Sequence, residues 1–573
     1  MHTHLFDVTL TIAKPQVQQM LSLPVWIPGS YLVREFSKNL QHLTASQGKA
    51  KLVATQLDKC TWQIACSPSK ALIVRYQIYA HDNSVRTAWL DTARGFFNST
   101  SVCLRVQGQE NAVHALDVVM PVKTSGWSVA TGLTAQKTNK QGWGAYVAAS
   151  YDELADCPVE MGTFWSGTFT ACGVAHRFVV AGALPGFDGA KLLADTKKIC
   201  EEEIRFWHGT KKPPFSSYLF MLNAVDDGYG GLEHRNSTAL ICNRKDLPRL
   251  NFLHLQDAKV SEGYTTLRGL ISHEYFHTWN VKRLRPAEFT QYDYTQENYT
   301  ELLWFFEGFT SYYDDLLLRR AGLLDNAGYL KLLNKTINQV TQTPGTLVQS
   351  VAQASFDAWV KYYRQDENTP NATVSYYTKG ALVALCFDLT LRSEGHTTLD
   401  DVMRALWLRC KAGPMRQADF ADVLKTLGKR SFDAELKSWV HGKSELPLRE
   451  LLIEHGVAIH DDPAQLAQRL GLRVIEVNGV HVKTVLSGSA AAKAGFAAGD
   501  EWLGVETTKP QTGWRMQRLD DLLLYTGSAK KIIALVARDK RLVRLELAIP
   551  PPATTWRLAT KDAAKVDAWL AHQ

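Results

Sequence analysis

The feature that most constrains what this chain can fold into is a change in the spacing of its apolar residues. Up to about residue 165 the text runs in short stretches where apolar and polar residues alternate, "HLFDVTLTI", "CTWQIAC", "ALIVRYQIYA" and "NSTSVCLRVQ", broken by Gly, Asn, Ser and Pro. A period of two puts the apolar side chains on one face of a strand, so residues 1–165 are expected to form an antiparallel, sandwich-like β domain. From "GAKLLADTKKICEEEIRFW" the period becomes helical, "SYLFMLNAV" and "STALICN" read as strands, and helical text dominates from Gly263 to about Val440. Strands first and helices later describe a multi-domain α+β protein, with an α+β domain over 166–452 whose second lobe is helical. Alternation returns in "LGLRVIEVNGVHVKTV" and "KIIALVARDKRLVRLELAIPPP" around a helical "MQRLDDLLLYTG". A compact module over 453–552 and a tail over 553–573 follow.

The charge balance, 64 Lys and Arg against 57 Asp and Glu, is spread without a basic run, so a nucleic-acid partner is not expected. Nine cysteines are scattered singly, with no CxxC pair, which argues against a disulfide framework and a cysteine metal site. The start "MHTHLFDVTLTIAKP" lacks a basic segment followed by an apolar run, and no window of about 18 apolar residues occurs. No membrane span is expected, and the location is read as cytoplasmic, or periplasmic if a leader has been removed.

Within the helical text lies "LISHEYFHTWNVKRL", Leu270 to Leu284. On a helix His273 and His277 stand one above the other and can reach one metal ion, while Glu274 beside them is placed to take a proton from a metal-bound water. Two ordinary histidines with an incidental glutamate is the competing reading. A catalytic zinc needs a third ligand, and spacing alone does not choose among Glu288, Glu297, Glu301 and Glu307. Glu307 stands in the apolar "ELLWFFEGFTSYYDDLLL", where an ionised carboxylate is costly unless paired or metal-bound, so it is the favoured candidate. In "DDGYGGLEHRNS", Gly230 and Gly231 permit close backbone approach, and Glu233 is able to bind a substrate ammonium group.

Taken together, "HEYFHTWN", "WFFEGFTSYY", "YGGLEHRNST" and "YYTKGALVAL" resemble the gluzincin metallopeptidases. The stretches "LPVWIPGSYLVREF", "VRTAWLDTARGFFN" and "YDELADCPVEMG" further resemble the glycyl aminopeptidase family with a carboxy-terminal PDZ domain. The resemblance implies a thermolysin-like catalytic domain in which His273, His277 and Glu307 bind one zinc ion per chain. It implies Glu274 as general base and then proton donor, and Tyr377, with Tyr376 as its neighbouring alternative, as the group that stabilises the oxyanion. Gly230, Gly231, Glu233 and His234 would hold a peptide with a free amino terminus, and zinc-bound water would attack the first peptide bond after Gly or Ala. His234 departs from the Asn usual at this place in related aminopeptidases. In the last module Leu470, Gly471 and Leu472 resemble the loop that receives a peptide's terminal carboxylate in PDZ domains. The rivals are a zinc endopeptidase in which Glu233 is structural, and a catalytically weak peptide-binding protein acting through the PDZ-like module.

Four further groups stand out. His81, His208, His254 and His441 have no partner at metal-ligand spacing. Tyr292, Tyr294 and Tyr299 are read as a loop packed on the helical lobe. Arg283 and Arg285 are read as solvated or ion-paired, with a substrate carboxylate as the alternative.

Overall fold

A computed structural model describes residues 2–121, 126–250, 260–508 and 511–571. The chain forms two compact units, Met1–Tyr299 with Tyr313–Leu323 and Met403–Asp419, and Thr300–Tyr312 with Leu324–Val402 and Phe420–Gln573.

The first unit opens as the alternation requires. Leu5–Ile12 pairs antiparallel with Leu72–Tyr79, whose Leu72, Val74, Tyr76 and Ile78 are buried while residues between them are less so. Leu40–Gln47 extends this sheet, and a second one joins Gln18–Ser22 to Thr61–Ala65, its Leu21 and Ile64 sharing a core with Leu72 and Val74. One expected strand differs. In "NSTSVCLRVQ" residues Ser99–Val102 form a buried helical turn and only Arg105–Val106 is extended. The amide of Asn98 donates to the carbonyls of Val85 and Thr87, and the Ser101 hydroxyl donates to the Asn98 carbonyl at 2.8 Å, so local side-chain bonds outcompete the ladder.

A five-stranded mixed sheet follows in the order Trp165–Ala171, Val174–Ala181, Ser217–Val225, Ser237–Asn243, Gly230–Glu233. Val174–Ala181 and Ser217–Val225 run parallel, and the helix Gly189–His208 makes the crossover that a parallel pair needs. Gly230–Glu233 is an edge strand, antiparallel to Ser237–Asn243, and the helix Glu262–Phe276 packs against it. That helix begins at Ser261, whose side chain accepts from the Tyr264 N–H at 3.1 Å, and buries Leu267, Leu270 and Ile271.

In the second unit the helix Thr378–Glu394 is buried along Leu382, Val383, Leu385, Phe387 and Leu389. A Cβ added to Gly308 would lie 2.5 Å from the Gly380 Cα and 2.9 Å from the Tyr376 carbonyl oxygen, so only glycine lets the Glu307 segment lie this close to the start of that helix.

The last module has its own core, Leu470, Leu472, Val480, Val482, Trp502, Ile532, Val536 and Leu547, under strands ordered Leu472–Ile475, Val480–Val485, Glu501–Thr508, Lys531–Arg538, Arg541–Ala548. Two expectations need correction here. The segment after residue 552 is no loose tail. Thr554–Thr560 pairs antiparallel with Val457–Pro463, and the helix Ala563–Leu570 buries Val566, Trp569 and Leu570. Nor is Leu470-Gly471-Leu472 an open carboxylate loop. Leu466–Leu470 is a short helix, Gly471 ends it in the left-handed region at φ 71°, and its N–H donates to the Gln468 carbonyl.

Among the described residues no helix is long and apolar enough to cross a membrane. The nine cysteines are all free thiols.

Candidate active site

His273 lies in the last turn of its helix and His277 caps it, its N–H donating to the His273 carbonyl at 3.2 Å. The His273 Nδ1 donates to Asp314 Oδ2 at 2.9 Å, and the His277 Nδ1 donates to the Asn280 carbonyl at 2.8 Å. With both Nδ1 atoms carrying the hydrogen, both Nε2 atoms present lone pairs, and they face one another at 3.0 Å. Facing lone pairs repel unless a cation stands between them. Two nitrogens each about 2.0 Å from a tetrahedral zinc are about 3.3 Å apart, so the pair fits that metal.

Glu274 and Glu233 are both buried, and their carboxylates and a ring nitrogen of His277 lie within 4.8 Å of one another. A side chain at Gly231 would collide with the Glu274 carboxylate, so glycine there leaves the room that this carboxylate fills. The Gly231 carbonyl accepts from Arg86 Nη2 at 3.1 Å, an anchor supplied by "VRTAWLDTARGFFN". Gly29, at φ 93°, brings a turn against Glu233, where an added Cβ would be 2.5 Å from either carboxylate oxygen.

His234 has a different surrounding from the one expected of a residue that holds substrate. It is 1% exposed, and its Nδ1 is 3.3 Å from Asp156 Oδ1, which also accepts from Lys282 Nζ at 2.6 Å. The Arg235 N–H donates to the other oxygen of Asp156 at 3.0 Å. Burial alone would raise the Asp156 carboxyl; the Lys282 ammonium, His234 and Arg235 outweigh it and hold the group well below the usual carboxylate range.

The arginines after the histidine-bearing helix are half-buried and bond to backbone carbonyls, with no ion pair among the described residues. Arg283 Nη1 donates to the carbonyls of Arg235 and Thr278 at 2.9 and 2.7 Å, and burial pushes its guanidinium down to about 10. Arg285 donates to the carbonyls of Phe289 and Lys282. Tyr292 and Tyr294 pack on the amino-terminal domain. Tyr292 meets Trp26 edge to face at 5.5 Å, and the Tyr294 hydroxyl donates to Asp152 at 3.0 Å. His81 stacks on Trp89 and His208 Nε2 accepts from Trp279 Nε1 at 2.7 Å, while His254 lies outside the described residues.

In the second unit Glu307 is 1% exposed, whereas Glu288 and Glu301 are exposed and Glu297 is half-buried. Its N–H donates to the Leu303 carbonyl and its carbonyl accepts from the Ser311 N–H, both at 2.8 Å, so the backbone stays helical through position 307. Tyr377 stacks on Tyr376 and Tyr362 at 4.8 and 5.5 Å, and its hydroxyl is 3.4 Å from that of Tyr363. Burial, then the nearby Glu307 carboxylate, raise the Tyr377 phenol well above its ordinary value, so it stays protonated and able to donate. Tyr377 is half-buried and Tyr376 fully buried.

Sequence reasoning identified neither Asp314 nor Asp156 nor Arg86. For Asp314 a signal was available, because it stands seven residues after Glu307, two helical turns on, in the same helical text.

The M61 glycyl aminopeptidase family matches residues 266–383, and the M61 N-terminal domain matches residues 1–163. No curated protein matches the chain. Among solved structures, an aminopeptidase N family protein from Idiomarina loihiensis is 37% identical at a TM-score of 0.93, with 99% of this chain and 98% of that chain covered. An M1 zinc metallopeptidase from Deinococcus radiodurans is 16% identical at a TM-score of 0.46, with 78% and 91% covered. Family matches over residues 1–163 and 266–383, and a relative alike along nearly its whole length, identify the chain as a metallopeptidase that belongs to the M61 glycyl aminopeptidase family.

Proposed function

We propose that this metallopeptidase is a zinc aminopeptidase that hydrolyses the first peptide bond of peptides with a free amino terminus and a small first residue, Gly or Ala. The observation that carries the reading is the histidine pair, two lone pairs facing at 3.0 Å with both outer nitrogens tied down. Glu307 is the proposed third ligand. The helix running through it reaches Asp314 two turns later on the same face, and Asp314 is the residue that holds His273.

A zinc ion held there would bring the pKa of a water towards neutrality and polarise the scissile carbonyl. Glu274 takes the proton from the attacking water and returns it to the leaving amine. Tyr377 donates its hydroxyl hydrogen to the oxygen on which negative charge develops. Glu233 binds the substrate ammonium by a charge-assisted hydrogen bond, which makes the enzyme an exopeptidase. Support for a small first residue comes from the family and from the Gly29 turn, which stands close against the Glu233 carboxylate.

The test compares a glycyl peptide with its N-acetylated form, using protein of known zinc content. One zinc per chain with cleavage of only the free-amine peptide is expected. Cleavage of both at similar rates would replace the exopeptidase reading with the endopeptidase one.

A further inference from the structure

Within the second unit a cavity of about 130 Å³ opens beside the proposed oxyanion donor. Its lining includes Tyr362, Gln365, Thr369, Ser375, Thr378 and Arg473. Tyr362 stacks on Tyr377 with ring centroids 5.5 Å apart, so the cavity begins one aromatic ring away from Tyr377. Arg473 comes from the last module, on the edge strand Leu472–Ile475. The module is fixed beside the cavity by Asn371, whose side chain donates to the Val485 carbonyl at 2.9 Å and accepts from the Ser487 N–H at 2.8 Å.

The charge pattern of this cavity is one-sided. Gln, Thr, Ser and Tyr side chains offer neutral hydrogen bonds, and among the described residues Arg473 is the one charged group and no carboxylate lines the wall. Arg473 is exposed and has no ion-pair partner among the described residues, so its guanidinium is available for a planar anion. A residue of extended peptide advances about 3.4 Å, so a chain whose first bond lies by Tyr377 reaches one ring further within about two residues.

We propose that Arg473 binds the terminal carboxylate of short peptide substrates, so that the last module completes the substrate site rather than serving a separate partner. The proposal rests on the aminopeptidase reading and names the substrate class of that site, peptides of a few residues with both ends free. A guanidinium–carboxylate contact can be bidentate, which fixes the orientation of the peptide's far end.

The experiment uses calorimetry on the zinc-loaded Glu274→Gln protein, which binds without turnover, with triglycine and triglycinamide as probes. Triglycine is expected to bind roughly 10-fold more tightly than its amide, as a charge-assisted contact gives. In Glu274→Gln/Arg473→Gln that preference should vanish, and in Glu274→Gln/Arg473→Lys it should be partly retained. Equal affinities in the parent, or a preference that survives Arg473→Gln, would overturn the proposal. Failure of the aminopeptidase reading shows elsewhere, as absence of turnover of free-amine peptides by the wild type.

Discussion

The carboxylate of Glu274 occupies the space in which any side chain at Gly231 would stand. The proposed general base and the edge strand that carries the proposed amine anchor are therefore set in place by one steric condition. Gly231→Ala should leave the fold intact, since its backbone has no left-handed φ among the positive-φ glycines, yet displace Glu274. A loss of roughly 100-fold in kcat, with an unchanged circular dichroism spectrum, is expected for a shift on the order of 1 Å.

Asp314 accepts from His273 Nδ1 at 2.9 Å and so fixes the tautomer that turns Nε2 towards the proposed metal. Asp314→Ala should weaken zinc binding by about 10–100-fold, as loss of such an outer partner does. Competition with a chromophoric chelator measures this directly, and wild-type affinity in the variant would count against the arrangement.

Glu307 and Glu297 make opposite predictions. Glu307→Gln should strip zinc from protein purified without added metal, whereas Glu297→Gln, a half-buried residue in polar text, should retain about one zinc per chain. Elemental analysis of both variants decides between them.

Lys282 and Asp156 form an ion pair at 2.6 Å, their side chains 6% and 9% exposed. Lys282→Met leaves Asp156 buried beside His234 and Arg235 without its strongest counter-charge. A cost of about 3–5 kcal/mol in urea unfolding is expected. The double variant Lys282→Met/Asp156→Leu should recover part of it.

His176 gives the protein an acid limb of its own. Burial lowers its imidazole from 6.5 to about 4; Nδ1 donates to the Val174 carbonyl at 2.9 Å, Nε2 accepts from the Tyr275 hydroxyl at 2.9 Å, and Phe169 stacks on the ring. The folded state therefore prefers the neutral ring. Above pH 6.5 both states are neutral and nothing is lost; as pH falls from 6.5 to about 4 only the unfolded state gains the proton, and stability drops by up to about 3 kcal/mol. In His176→Gln the fall over that window should be shallower by a similar amount, read from urea midpoints at pH 7 and pH 4.5.

Local order in the text was enough for the elements that carry the site. The alternation in "ALIVRYQIYA" and the apolar run "SYLFMLNAV" became strands, and the helical text from Gly263 became the helix Glu262–Phe276 that carries His273 and Glu274. These features depend on side chains a few positions apart, whose spacing is the same in the text and in space. What faces them was decided by the tertiary fold. Asp314 meets His273 from 41 residues away and Arg86 meets Gly231 from 145. Thr554–Thr560 turns an apparent tail into a strand against Val457–Pro463, and the Gln468 carbonyl takes up the Gly471 amide that looked open for a ligand. Periodicity states which face of an element is apolar and says nothing of the partner across from it. A buried polar group must find that partner wherever the packed chain brings one, so the spacing of the histidine pair was readable in sequence while the network holding it waited for the fold.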